Sequence, residues 1–122
     1  MVLPNSADSI VLLHNPRCSK SRATKALLEE RGVEFAVREY LEDPLTSDEL
    51  RDLEKRLGRP ISDWIRTGEA AYSEVGLSDG ADSAALIECV AKHPICMERP
   101  IVVRGDAAAV GRPPEAVLSL LS

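Results

Sequence analysis

The chain has 122 residues, 44% of them hydrophobic and 29% charged, with a formal net charge of -5 and three cysteines; this suits one folded domain over residues 1–122 rather than a disordered or fibrous chain. No run approaches the roughly 18 apolar residues of a membrane span, and the first nine residues are too short and polar for a secretory signal, so a cytoplasmic protein with no membrane partner is expected. An acidic surface with no basic run repels phosphate backbones, which removes nucleic acid from the expected partners.

The first element is the apolar run Ser9-Ile-Val-Leu-Leu-His14, which reads as a buried parallel strand stopped by Asn15-Pro16. Good helix formers, among them Ala23, Lys25, Leu27, Leu28 and Glu30, predict a helix over 19–31 closed by Gly32. Cys18 therefore falls at a strand-to-helix junction. Residues 35–41 read as a second strand, with Phe35, Val37 and Glu39 on one face and Ala36, Arg38 and Tyr40 on the other, completing a βαβ unit.

Thr46-Ser-Asp-Glu49 has the form of a capping box and predicts a helix running to Leu57, ended by Gly58-Arg-Pro60. A short helix is expected over 61–66 and another over 82–92, broken by Pro94; residues 67–83, with Gly68, Gly76 and Gly80, carry no assignable pattern. Residues 100–103 and 107–110 flank Arg104-Gly-Asp106 as an antiparallel hairpin, and Pro113 opens a terminal helix over 115–121. The order is βαβ, a helical insertion at about 46–93, then ββα, which is an α/β arrangement.

The chemistry centres on Cys18. The thiolate is the nucleophile, and a thiol's pKa falls at a helix N-terminus and beside cations. Unpaired amides of residues 19–22 and the helix dipole would face this sulfur, and Arg17, Lys20 and Arg22 form a local excess of positive charge in an acidic chain. The same amides make an anion site. The competing reading, a small buried packing residue, fits Cys89 and Cys96 better: Cys89 shares a helix face with Leu86 and Val90, and Cys96 lies between Ile95 and Met97.

Spacing thins the alternatives. Cys18-Ser-Lys-Ser21 is not the Cys-x-x-Cys of a dithiol enzyme, so a reductant must come from outside. A tyrosine-phosphatase loop needs an arginine where Thr24 stands. Cys89 and His93 form a lone i, i+4 pair, too few ligands for a metal, and no metal is expected.

His14-Asn-Pro-Arg-Cys18-Ser-Lys-Ser-Arg22 resembles the corresponding segment of the glutaredoxin-coupled arsenate reductases of the thioredoxin superfamily. The likeness continues through Asp63-Trp-Ile-Arg66-Thr-Gly, His93-Pro-Ile-Cys-Met-Glu-Arg99-Pro-Ile-Val-Val103 and Gly111-Arg112-Pro-Pro-Glu115. The resemblance implies a thioredoxin-like fold with a mixed four-stranded sheet flanked by helices. It implies that Cys18 attacks arsenate while Arg66, Arg99 and Arg112 hold the oxyanion, a role suited to guanidinium groups. It also implies no bound cofactor, with glutathione as co-substrate and glutaredoxin as partner.

Pro100 then matches the proline that thioredoxin folds set opposite the reactive cysteine. His14 matches a family histidine near the thiol, either tuning it or satisfying backbone groups at the strand end, while Asn15, Ser21 and Arg22 are expected to support the sulfur or the anion. Two relatives offer other functions. One is a glutathione-dependent thiol reductase that does not use arsenate; the other is an Spx-like regulator of RNA polymerase, whose Cys-x-x-Cys switch Ser21 removes.

Overall fold

The structure, a computed structural model of the chain, describes residues 9–66, 68–70, 72 and 82–120. Its strands are β1 (Ile10–His14), β2 (Ala36–Glu39), β3 (Ile101–Arg104) and β4 (Ala107–Val110), and its helices are α1 (Ser19–Glu30), α2 (Ser47–Leu57) and α3 (Ser83–Lys92). Among the described residues, three 3-10 segments, Ile61–Asp63, Pro94–Cys96 and Pro114–Leu120, join or end these elements. The sheet order is β2-β1-β3-β4, with β1 parallel to β2 and antiparallel to β3, and β3 antiparallel to β4. It is a mixed α/β sheet of thioredoxin-like form.

β1 and β3 lie inside the sheet, and their alternating side chains feed two cores. Leu12 and Val102, register partners, point with Ile10 to the side covered by Leu28 of α1 and Val117. Leu13 and its partner Ile101 point the other way, to Leu50 and Leu53 of α2 and Ile87 and Val90 of α3. Complete burial of each such leucine contributes about 1.5–3 kcal/mol. This two-sided burial explains why β1 reads as an unbroken apolar run.

β2 is shorter than the strand expected over 35–41. It is an edge strand, so Val37 remains 41% exposed while Arg38 and Tyr40 turn inward. The helix expected over 61–66 is only the turn Ile61–Asp63. Beyond it the backbone extends: Ile65 bridges Met97, the Glu98 amide donates to the Trp64 carbonyl at 2.8 Å and the Arg66 amide to the Cys96 carbonyl. Cross-chain pairing thus overrides local helix propensity. The terminal helix expected over 115–121 is the 3-10 segment Pro114–Leu120, tightened by the Ala116 amide donating to Pro113 O; Leu121 lies outside the described residues, as does most of the unpatterned stretch 67–83.

α2 begins at Thr46, whose hydroxyl accepts from the Glu49 amide at 3.2 Å while the Glu49 carboxylate accepts from the Thr46 amide at 3.0 Å. That carboxylate has a second task. Arg38 donates to its two oxygens at 2.6 and 3.0 Å, and also to the carbonyls of Asp43 and Pro44 at 3.0 and 2.8 Å, tying β2 to α2 through a buried pair. Burial raises the Glu49 pKa, but the bonds from Arg38 and the Thr46 amide outweigh it and hold the carboxyl below its usual value of 4.5.

One close approach joins the end of β4 to the turn before β3. The Gly111 amide donates to Pro100 O at 2.8 Å. A Cβ on Gly111 would stand 2.7 Å from Pro100 Cγ and 2.7 Å from Thr24 Oγ1 of α1, so only glycine fits.

Two stability measurements test these joints. Glu49→Ala removes the buried carboxylate partner of Arg38, leaving it only the half-exposed Asp43 carboxylate at 3.4 Å, and is expected to cost about 3 kcal/mol in urea unfolding. Because the folded pKa is depressed, wild type keeps this contribution above about pH 4.5 and loses it as pH falls through the folded value, so the difference between the two proteins narrows in acid. Gly111→Ala is expected to cost about 1–3 kcal/mol through overpacking. Gly68→Ala, where an added Cβ meets nothing within 4 Å, is the control and should stay within about 0.5 kcal/mol.

Candidate active site

The turn after β1 delivers Cys18 to the start of α1. The Asn15 carbonyl accepts from the Cys18 amide at 3.0 Å, and the Asn15 side-chain oxygen accepts from the Arg17 amide at 3.0 Å. This makes Cys18 the N-cap residue, in extended conformation, with its side chain partly exposed. Burial pushes the thiol pKa up, but the amides of Ser21 and Lys20 and the Arg99 guanidinium outweigh it, and the net position is below the ordinary 9.0.

The cations that approach the sulfur come from distant sequence. Arg112 Nη2 stands 3.7 Å from Cys18 Sγ. Arg17, Lys20 and Arg22, expected to surround it, are all exposed, and Arg22 donates to the Pro16 carbonyl at 2.8 Å. Arg22 therefore braces the turn.

His14, Asn15 and Ser21 form a buried support behind the turn. Ser21 Oγ lies 2.7 Å from His14 Nδ1 and accepts from the Asn15 amide at 3.0 Å. The hydroxyl of Ser21 is thus committed to the support, and it is its backbone amide that serves the sulfur. Burial and then the Lys25 charge hold His14 below the usual histidine range, against the pull of Glu39. In a neutral imidazole protonated on Nε2, Nδ1 accepts a hydrogen bond from the Ser21 hydroxyl. His14 is thus linked to the Cys18 turn through Ser21.

The bridge between Ile65 and Met97 sets Arg66 beside the segment that carries Arg99, and Gly111 packed on Pro100 sets Arg112 beside both. The Arg99-Pro100 and Arg112-Pro113 peptide bonds are both cis. Two carboxylates that sequence reading did not single out organise the cluster. Glu98 Oε1 lies 3.2 Å from Arg66 Nη1 and 2.8 Å from Arg112 Nε, and accepts from the Arg99 amide at 3.3 Å. Glu69 Oε1 lies 3.2 Å from Arg66 Nε and 3.7 Å from Arg99 Nη1. Arg112 Nε also donates to the Arg99 carbonyl at 2.7 Å.

The adjacency Glu98-Arg99-Pro100 was the available signal for Glu98, since a residue beside a fixed turn shares its surroundings. Glu69 sits in the unpatterned stretch and had none. Two clefts of about 430 Å³ meet at Glu98 and Arg112. One is polar, lined by Ile65, Arg66, Gly68 and Glu69; the other has Leu57, Ala108 and Val110 in its wall.

Arg99 is the least solvated of the three. Its side chain is 13% exposed, and its Nε and Nη1 atoms are buried without a hydrogen-bond partner. Cys89 and Cys96 are buried, with their thiols pushed up by burial, Cys96 to about 11, which leaves both protonated at neutral pH. Among the described cysteines only Cys18 is partly exposed and has its thiol held below the ordinary value, beside arginines.

Residues 13–120 match the model of the ArsC family. An arsenate reductase of Haemophilus influenzae is 39% identical over 115 residues, covering 93% of this chain and 99% of the relative. An uncharacterized protein, YfgD, of Escherichia coli is 47% identical, covering 92% and 96%. The solved structure of an arsenate reductase from Vibrio cholerae superposes with a TM-score of 0.88 at 43% identity, covering 94% and 99%. With a match over nearly the whole chain and these relatives, the protein belongs to the ArsC family.

Proposed function

We propose that the protein reduces arsenate to arsenite in the cytoplasm, with Cys18 as nucleophile and with glutathione and glutaredoxin as the external thiols. The observation that carries the reading is Arg99: a buried guanidinium whose Nε and Nη1 have no hydrogen-bond partner, beside a thiol held below its ordinary pKa. An anion with several acceptor oxygens suits such a group, and the Haemophilus influenzae and Vibrio cholerae relatives are named as arsenate reductases.

In this mechanism Arg66, Arg99 and Arg112 neutralise the tetrahedral oxyanion, and the α1 amides align it against the sulfur. The Cys18 thiolate bonds to arsenic and one arsenate oxygen leaves, protonated, as water, giving a Cys18–arsenate thioester. The glutathione sulfur then bonds to Cys18 sulfur. The S–As bond breaks with its electron pair remaining on arsenic, which departs as arsenite and takes the thiol proton on oxygen. Two electrons have passed from two sulfurs to arsenic, leaving a mixed disulfide. A glutaredoxin thiol exchanges onto the glutathione and frees Cys18; external exchange is needed because Ser21 occupies the position of a resolving cysteine.

Two experiments test this. Cys18→Ser is expected to lower glutathione- and glutaredoxin-dependent arsenite production by about 10³-fold or more. Retained production would end the proposal, and a wild type that turns over a glutathione mixed disulfide but no arsenate would favour the thiol-reductase reading instead. Arg99→Ala is expected to lower kcat/KM for arsenate by about 10²-fold, the scale of one lost oxyanion contact. It should also move the pH profile of Cys18 alkylation upward, because a cation that favours the thiolate is gone. A profile unchanged from wild type would mean that Arg99 does not act on the sulfur.

A further inference from the structure

Among the described residues, the buried side-chain nitrogen and oxygen atoms without a hydrogen-bond partner belong to two residues, Arg99 and Tyr40. An orphaned buried donor costs about 1–3 kcal/mol, so a fold that keeps one at a site calls for a reason. Arg99 has its reason in the oxyanion. Tyr40 has no role in the scheme above, although its residue is fully buried and its hydroxyl is the orphaned atom.

The topology brings the two together. β1 and β2 run parallel, with His14 opposite Glu39, so Tyr40 leaves β2 level with Asn15 as it leaves β1. Both therefore emerge at the carboxyl edge of the parallel strands, the edge from which the Cys18 turn departs and where open α/β sheets bind ligands. The ring belongs to the core cluster that also holds Leu13, Trp64, Met97 and Ile101, and a side chain in such a core has little freedom to move its hydroxyl. Burial pushes the phenol up to about 12, and the charges of Arg99, Cys18 and Arg66 all act on it. It is a protonated donor at any working pH. The Asn15 side chain is close enough to act on the phenol, yet completes no hydrogen bond with it.

We propose that the Tyr40 hydroxyl is a fourth side-chain ligand of the pocket, donating a hydrogen bond to an oxygen of the tetrahedral oxyanion that Arg99 holds. This rests on the oxyanion reading of the site and adds to it a neutral, directional donor. A phenol fixed by packing meets one oxygen in one geometry, whereas the arginines supply charge that any small anion can share.

The test is Tyr40→Phe, which keeps the ring and its packing and removes the hydroxyl alone. Arsenate is titrated, without glutathione, for its protection of Cys18 against iodoacetamide, and thermal unfolding is followed without anion. The expected result is that half-protection of the variant needs about tenfold more arsenate than wild type, one hydrogen bond's worth. Its unfolding temperature without anion should be equal or higher, and its anion-free alkylation pH profile unchanged. Equal protection of both proteins would overturn the role of Tyr40 while leaving the oxyanion pocket standing. A raised anion-free profile would overturn it by assigning the hydroxyl to the sulfur, and a clear fall in unfolding temperature by assigning it to the fold. Wild type left unprotected by arsenate would remove the pocket reading and this assignment together.

Discussion

The site depends on one register. β1 and β3 pair antiparallel with Leu13 opposite Ile101, so the residues just beyond, His14 on one strand and Pro100 on the other, leave the sheet at the same end. The Cys18 turn follows His14, and Arg99 precedes Pro100. Cys18 and the buried arginine thus meet across a joint made by strand pairing, although they lie far apart in the chain. A slip of one residue would turn Leu12, Leu13, Ile101 and Val102 to the wrong cores, which makes the alignment costly to lose. Gly111 extends the joint by letting the end of β4 close on Pro100, which brings Arg112 to the sulfur.

Charge balance follows from that geometry. Three arginines gathered around one small pocket would repel one another, and a free thiolate would attract all of them. Glu98 and Glu69 divide the guanidinium groups among themselves, so Arg66 and Arg112 are held in place without a ligand. Arg99 is held differently. Its carboxylate neighbour Glu69 is 3.7 Å away, outside hydrogen-bond reach, and two of its buried nitrogens have no hydrogen-bond partner. In the proposed reaction an incoming oxyanion would meet open donors at Arg99 and share Arg66 and Arg112 with Glu98. The pocket therefore combines fixed positive charge with an internal counter-ion, and preorganisation of this kind is the main electrostatic contribution a protein can make to an anionic reaction.

Much of this was legible in the order of residues. The apolar run of β1, the capping box at Thr46 and the hairpin around Gly105 carry local patterns that short-range physics reads directly. The helix expected over 61–66 failed because its partner, Met97, lies some thirty residues on. The amides of Ser21 and Lys20 that act on the sulfur follow from its place at a helix start, but the cations beside it in sequence, Arg17, Lys20 and Arg22, are exposed, and the arginines that approach it were recognisable only through family motifs far along the chain. Ser21 shows the same limit: its place beside the cysteine was evident, but its hydroxyl is taken by His14 and only its amide serves the sulfur.

By itself the sequence determined that a cysteine would cap a helix at the end of a buried strand, because turn residues, helix formers and apolar runs act over a few neighbours. It also determined which arginines were available, since their charge belongs to the residue and not to its surroundings. Only the tertiary structure decided which of them reach the sulfur, which carboxylates hold them, and that Tyr40 is buried with an unpaired hydroxyl. Those are matters of strand register and packing between distant segments, and no local pattern encodes a distance between residues that meet only when the sheet closes.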